Sequence, residues 1–140
     1  MREKNYRWIY GAQEVPSAKI REILSAAFHI PAENIEDYKT SSQDARQKSS
    51  VWFDVLKHDF SDEFRFEFEF HIDTSLFSSK DENLQLAQKL APFLGEPLIG
   101  DTPDYSKNEC CYYKCYPDGR QERIEWPVKE EDDFWIVGEE

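Results

Sequence analysis

The sequence has few glycines and no cluster of them. Its 140 residues include five glycines, and neither a Gly-x-Gly-x-x-Gly nor a Gly-x-x-x-x-Gly-Lys motif occurs. Loops of these kinds let backbone amides approach phosphate groups closely. The Gly-x-Ser-x-Gly motif of serine hydrolases is also absent. We therefore expect no nucleotide-binding loop, no cofactor and no catalytic residues, so the chain is not predicted to be an enzyme.

Cysteines are few and crowded together. Cys110, Cys111 and Cys115 are an odd number within six positions, which is not the pattern of a disulfide framework. On a strand, Cys111 and Cys115 would lie on one face about 13–14 Å apart, with Cys110 pointing the other way. Ligands of a zinc ion lie within about 2.3 Å of the metal, and no Cys-x-x-Cys pair or paired His accompanies these residues. We expect no metal site and assign the cysteines no chemistry.

Basic residues are scarce relative to acidic ones. Lys and Arg number 17 against 29 Asp and Glu, a net charge of −12. Residues 1–30 hold five basic and three acidic residues, or +2, so the other 110 residues carry −14. Such a surface repels phosphate groups, which argues against nucleic acid and anionic membrane as partners. It would attract a basic protein, although acidity can also serve solubility alone.

Long apolar runs are missing as well. No stretch approaches the roughly 18 residues of a membrane span, and the N-terminus lacks the apolar core of a signal peptide. A length of 140 residues suits one domain, and we predict a single domain over residues 1–140. The simplest expectation is a cytoplasmic protein.

The strongest pattern that is present runs from Phe64 to Ile72. Every second residue is Phe or Ile, and the residues between them are charged or His. A period of two places successive side chains on opposite faces of a strand. This stretch is therefore predicted to be a central strand whose aromatic face is covered by helices.

The remaining patterns predict two helices and several shorter strands. Apolar residues at three- and four-residue spacing indicate one helix between Pro16 and Pro31. They indicate a second helix at Leu84–Leu94, which Gly95 ends. Residues 31–50 are polar and are predicted to be a loop with at most one helical turn at 34–38. The other predicted strands are 5–10, 51–56, 97–100, 110–116, 121–126 and 134–137, with Asp118-Gly119 at a hairpin tip. The predicted fold is α+β, with a mostly antiparallel sheet and two helices packed on one face.

Acidic residues concentrate in two places. One is the polar face of the phenylalanine strand with the turn before it, and the other is the C-terminal twenty residues, which carry eight acids against two bases. Trp and Tyr beside acids are typical interface anchors, and Trp126, Trp135, Tyr112 and Tyr113 are candidates. The predicted partner-binding residues are Asp62, Glu67, Glu69, Trp126, Glu130, Glu131, Asp132 and Asp133. His71 with Glu69 could do acid–base work, but pairing across strands is the commoner role of such residues.

From Glu82 onward the chain resembles small immunity proteins of bacterial polymorphic toxin systems, including the contact-dependent growth inhibition type. The resemblance lies in a helix at Leu84–Leu94, the strand Gly95–Asp101, the hairpin at Tyr116–Gly119 and the acidic lead into Phe134–Val137. It covers about the last 60 residues. It implies a small, acidic, cytoplasmic and non-catalytic protein that masks a cognate toxin domain, without naming the contact residues.

Three hypotheses follow for function. The first is an immunity protein that binds a cognate basic toxin domain and masks its active or substrate-binding site. The second is a small-molecule-binding or enzymatic α+β domain with a pocket between sheet and helices. The third is an interaction module whose partner is not a toxin.

Overall fold

The computed structural model describes residues 3–57, 63–104 and 109–125, with backbone alone at 103–104 and 109–110. The strands are β1 Lys4–Gly11, β2 Ile35–Asp37, β3 Val51–Lys57, β4 Phe66–Asp73, β5 Leu98–Asp104, β6 Glu109–Cys115 and β7 Gln121–Ile124. The α-helices are α1 Ser17–Phe28, α2 Gln43–Lys48 and α3 Asn83–Leu94, and a short 3₁₀ helix covers Ala32–Asn34.

The seven strands form one sheet in the order β2-β3-β4-β1-β5-β6-β7. All neighbouring strands are antiparallel except β2 and β3. Strand β4 lies between β1 and β3, whose connection contains α1 and then the 3₁₀ helix, β2 and α2. Strand β1 lies between β4 and β5, which α3 connects. These two interleaved split β-α-β units are the connectivity of the ferredoxin-like fold. The predicted α+β class, with a mostly antiparallel sheet and two helices on one face, is confirmed.

The main core lies between the sheet and helices α1 and α3. Phe68, Phe70 and Ile72 of β4 are buried there, as the period of two predicts. Both helices turn their apolar stripes to the same core, from Ile20 to Phe28 in α1 and from Leu84 to Ala91 in α3. Helix α3 ends at Gly95, whose φ of 80° is the left-handed conformation that glycine adopts most readily.

Backbone atoms of helix α3 lie directly against strand β5 at Gly100. A Cβ atom there would lie 2.7 Å from the Asn83 carbonyl oxygen and 2.8 Å from the Leu84 Cα. The side chain of Asn83 enters the sheet where pairing of β1 and β5 stops after two residue pairs. Its oxygen accepts a hydrogen bond from the Trp8 N–H at 3.0 Å, and its amide donates to the Asp101 carboxylate at 2.7 Å. A buried amide therefore replaces backbone pairing at this point of the sheet.

Residues 31–50 differ from the predicted loop. They form the 3₁₀ helix, strand β2 and helix α2. The prediction of at most one helical turn was wrong because none of these pieces carries a long apolar period. Strand β2 has three residues and exists through pairing with β3, and α2 has no buried residue.

Other boundaries shift by a few residues. Phe64 is buried but lies before β4, and β5 continues to Asp104 rather than ending at Gly100. The hairpin of β6 and β7 turns at Pro117–Arg120 as predicted, with φ of 95° at Gly119. Residues 105–108 and the predicted strand 134–137 lie outside the described residues. Within the described ranges, no helix is both long enough and apolar enough to cross a membrane.

Candidate functional site

The sheet face turned away from α1 and α3 carries the candidate site, and we name it the open face. Strand alternation and register assign its residues. Ile9, Phe68 and Phe53 point into the core, so the residues next to them in each strand point the other way. The open face comprises Lys4, Tyr6, Trp8, Tyr10, Trp52, Asp54, Leu56, Glu67, Glu69, His71, Ile99, Asp101, Tyr112, Lys114, Glu122 and Ile124.

Five rings form a continuous series across one end of this face, the ring row: Tyr38, Trp52, His71, Tyr6 and Trp8. Trp52 and His71 stack at 3.6 Å between centroids with planes 6° apart. Tyr38 stacks on the far side of Trp52 at 5.6 Å, and Tyr6 on the far side of His71 at 4.8 Å. Trp8 continues the series at 5.0 Å from Tyr6. Tyr6 and Tyr38 remain 40% and 46% exposed.

Sheet register is the reason these rings meet. His71 of β4 lies directly opposite both Trp52 of β3 and Tyr6 of β1. Side chains opposite each other on one face of a sheet are the closest neighbours across strands, and aromatic pairs there stabilise the sheet. Tyr38 reaches the row because its N–H donates a 2.8 Å hydrogen bond to the Phe53 carbonyl just after β2. The ring row is thus held by backbone pairing rather than by loops.

Arg46 of α2 covers one end of the ring row. Its guanidinium carbon lies 4.5 Å from the centroid of Tyr38 and 5.7 Å from that of Trp52. The same guanidinium donates hydrogen bonds to the Ser41 carbonyl at 2.6 Å and the Tyr38 carbonyl at 3.2 Å. Helix α2 begins at Ser42, whose hydroxyl accepts a hydrogen bond from Ala45 N–H and so caps it. The short helix therefore presents an arginine to the aromatic surface.

Two carboxyl groups lie beside the Tyr6–Trp8 end of the ring row. Glu67 and Glu69 alternate along β4, with Glu69 opposite Trp8 and Glu67 opposite Tyr10. Burial, then a hydrogen bond with Glu69 and its negative charge, raise the pKa of Glu67 to about 8. The pKa of the Tyr6 hydroxyl is also raised, first by burial and then by the charge of Glu69, to which it is hydrogen-bonded. At neutral pH Glu67 therefore holds a proton, which a cation placed there would displace.

His71 lies between two rings of the ring row. Burial lowers the pKa of His71, and the neighbouring Glu69 raises it by less. The ring is neutral at physiological pH and is stacked between Trp52 and Tyr6.

The predicted site residues separate into two groups. Glu67 and Glu69 lie together on the open face. Asp62, Trp126, Glu130, Glu131, Asp132 and Asp133 lie outside the described residues, as does Trp135. Of the predicted aromatic anchors, Tyr112 is on the open face opposite Asp101. Tyr113 was predicted wrongly, because it faces the helices and packs against the core.

Cys111 and Cys115 lie on the core side of β6. Both thiols are buried on the face that packs toward α3. Burial raises the pKa of Cys115 to about 11, so the thiol stays protonated and unreactive at neutral pH. In the described part of the chain, no three His, Cys, Asp or Glu side chains are grouped so that they could hold a metal ion.

Two cavities bear on the hypothesis of a small-molecule pocket. The one enclosed between the sheet and both helices is apolar and has a volume of about 30 Å³, lined by Ile9, Leu24 and Phe68 among others. That is room for little more than a water molecule. A wider groove of about 570 Å³ opens between the start of α1 and strand β3, lined by apolar side chains together with Glu14, Ser17, Asp37, Lys39 and Lys57. Its size lies within the range of ligand pockets.

The ring row was missed in the sequence, although one signal for it was there. Tyr6, Trp8 and Tyr10 alternate in β1 as the phenylalanines do in β4. Ile9 between them is the residue that faces the core, so the rings had to lie on the other face. No protein-family model, curated protein or solved structure significantly matches this chain.

Proposed function

We propose that this chain is a cytoplasmic immunity protein that binds a basic toxin domain through its open face and masks the toxin's active or substrate-binding site. The observation that supports this most is the ring row, with carboxylates beside it, on a sheet face that α1 and α3 leave uncovered. Aromatic side chains supply most of the binding energy at many protein interfaces. Carboxylates around them attract a cationic partner and speed its association.

Charge distinguishes a protein partner from a nucleic acid. Aromatic residues on a sheet face can stack nucleobases, but such proteins also present Lys and Arg to the phosphates. Here Glu69 and Asp54 lie among the rings as carboxylates, and Glu67 beside them is protonated at neutral pH. Of the cations near this face, Lys4 lies 3.9 Å from Asp73 and Lys114 lies 3.5 Å from Glu63. Lys39 is bound to Asp54, and Arg46 to backbone carbonyls. The face is therefore suited to a cationic surface and unsuited to a polyanion.

The alternative is a small-molecule-binding or enzymatic domain that uses the groove of about 570 Å³ beside β3. The cavity between the sheet and the helices is too small for a ligand, so this groove is the candidate that we test. Native mass spectrometry of the purified protein tests it directly. A stoichiometric bound compound, lost on Lys57→Ala but not on Tyr6→Ala, would favour this alternative over the immunity role.

The test of the immunity role uses the product of the reading frame immediately upstream of this gene. We expect that product to be basic, to arrest growth when expressed alone, and to be neutralised in a stable complex with this chain. Stopped-flow association should slow strongly as salt rises, because exposed charges are screened within about 8 Å at physiological ionic strength. A product that this chain neither binds nor neutralises would refute the role.

Matched variants test the face. Tyr6→Ala and Tyr38→Ala remove exposed rings from the open face, whereas Phe93→Ala removes a ring of the same 46% exposure as Tyr38 from α3. We expect each tyrosine variant to weaken the complex at least about tenfold, as central aromatic residues do. Phe93→Ala should leave it unchanged. Weakening by Phe93→Ala with no effect of either tyrosine change would place the contact on the helix layer instead.

A further inference from the structure

One half of the ring row already holds an arginine. Arg46 lies with its guanidinium carbon 4.5 Å from the Tyr38 centroid and also contacts Trp52. Guanidinium groups stack on aromatic faces because the group is planar and weakly hydrated. The protein thus contains, on this face, its own example of an arginine resting on these rings.

The other half has the rings, and the cation on its side of the face is Lys4, whose ammonium lies 3.9 Å from the Asp73 carboxylate. Tyr6 is 40% exposed, so its ring is accessible to a partner. Glu69 is hydrogen-bonded to the Tyr6 hydroxyl and lies opposite Trp8. Glu67 lies two residues before Glu69 in β4, on the same face, and is hydrogen-bonded to it.

We propose that the partner inserts an arginine side chain onto the Tyr6–Trp8 half of the ring row, with its guanidinium stacked on Tyr6 and hydrogen-bonded to Glu69 and Glu67. This inference rests on the proposed function and specifies the chemistry of the contact. Arginine fits better than lysine for two reasons. Its five N–H donors form a planar fork that binds two carboxylate oxygens at once, and its flat face stacks on a ring. The lysine ammonium is a compact, strongly hydrated charge that can do neither as well.

The geometry gives each group one role. The ring of Tyr6 is the stacking surface, and Trp8 forms the adjoining wall at 5.0 Å. The Glu67–Glu69 pair supplies negative charge once the proton of Glu67 leaves. His71 contributes no charge, and its stack with Trp52 holds the Tyr6 ring in place from the side.

The experiment compares an arginine octapeptide with a lysine octapeptide of equal charge by isothermal titration calorimetry at low salt. An arginine can stack on the exposed ring and form a bidentate pair with a carboxylate. We therefore expect the arginine peptide to bind about five- to tenfold more tightly than the lysine peptide. Tyr6→Ala should abolish this preference, whereas Tyr6→Phe, which keeps the ring, should retain most of it. Glu69→Gln should weaken binding of the arginine peptide, and Phe93→Ala should change nothing.

The outcomes separate this inference from the proposed function. Equal affinity for the two peptides, or a preference that survives Tyr6→Ala, would overturn the arginine contact. If the complex with the upstream product nevertheless forms and neutralises it, the immunity role stands without this contact. Circular dichroism and urea midpoints of every variant show whether the protein is folded, and the ring-retaining Tyr6→Phe keeps the test decisive if Tyr6→Ala unfolds.

Discussion

Glu67 is the residue at which pH should act most directly on the stability of this protein. Burial and the neighbouring Glu69 raise its pKa to about 8 from an ordinary value of 4.5. The native state therefore binds this proton more tightly than the unfolded chain does. The contribution to stability is fully present below pH 4.5 and is lost as pH rises through about 8.

The pKa difference sets an upper limit on the effect. Each tenfold change in a proton's dissociation constant corresponds to about 1.4 kcal/mol, so the interval from 4.5 to 8 corresponds to roughly 5 kcal/mol at most. The Glu67 side chain is only half-buried, and solvent screening reduces such electrostatic energies severalfold. We therefore expect wild type to lose about 1–2 kcal/mol of unfolding free energy between pH 5 and pH 9 because of this group.

Glu67→Gln is the variant that isolates this loss. The glutamine amide can donate to Glu69 as the protonated carboxyl does, but it does not ionise. The two proteins should be about equally stable at pH 5, and the variant should be more stable than wild type by about 1–2 kcal/mol at pH 9. Urea unfolding followed by tryptophan fluorescence across this range measures the difference. Glu22→Gln, at an exposed carboxyl of α1, is the control.

His71 does not obscure the comparison, because it is common to both proteins. Its pKa is lowered by burial, so its own contribution is present above its unfolded pKa of about 6.5 and is lost as pH falls. The stability difference between wild type and Glu67→Gln therefore reports Glu67 together with its coupling to Glu69. A difference that does not change between pH 5 and pH 9 would refute the reasoning about the glutamate pair.

Two further predictions concern the core. Gly100→Ala should cost about 3 kcal/mol or more, because its Cβ would meet α3 backbone atoms that cannot move aside. Gly95→Ala places its Cβ in open space but at φ of 80°, and should lower the free energy of unfolding by only about 1 kcal/mol. Equal losses for the two variants in urea unfolding would contradict the close contact at Gly100. Phe68→Ala should cost about 3–5 kcal/mol by the same measurement, since the ring is buried at the centre of the sheet. A loss below about 1 kcal/mol would show that this face is not the main core.

The large elements could be predicted from sequence because each has a strong period. Alternating phenylalanines marked β4, and the three- and four-residue spacing marked α1 and α3. Helix α2 has no such mark. It is six residues long, it buries nothing, and its stability comes from the Ser42 cap and an ion pair between Asp44 and Lys48. These local contacts are common in polar loops, so composition alone cannot separate a helix from a loop there.

The candidate site could be predicted only in part, because local sequence patterns do not determine the order of strands in a sheet. Glu67 and Glu69 were found since they share a face of one strand. Tyr6 is 65 residues before His71 in the chain, and the two stack because β1 pairs with β4. Trp52 joins them only because β3 pairs with the other edge of β4. A single sequence shows which residues share a strand face, but it does not show which strands are neighbours.

The composition of the open face is itself an argument for a partner. The helix layer and the sheet already bury the apolar residues of β4 and β1, so the ring row is not needed to close the main core. A monomer that had no use for this face would carry polar residues there, as most sheets with one face in water do. Two rings of the ring row, Tyr6 and Tyr38, are exposed, and exposed aromatic surface is a liability in solution unless something binds it. Carboxylates placed among the rings reduce that liability without covering them, and they select a cation over an anion. A surface of this composition would suit the single basic partner that we propose.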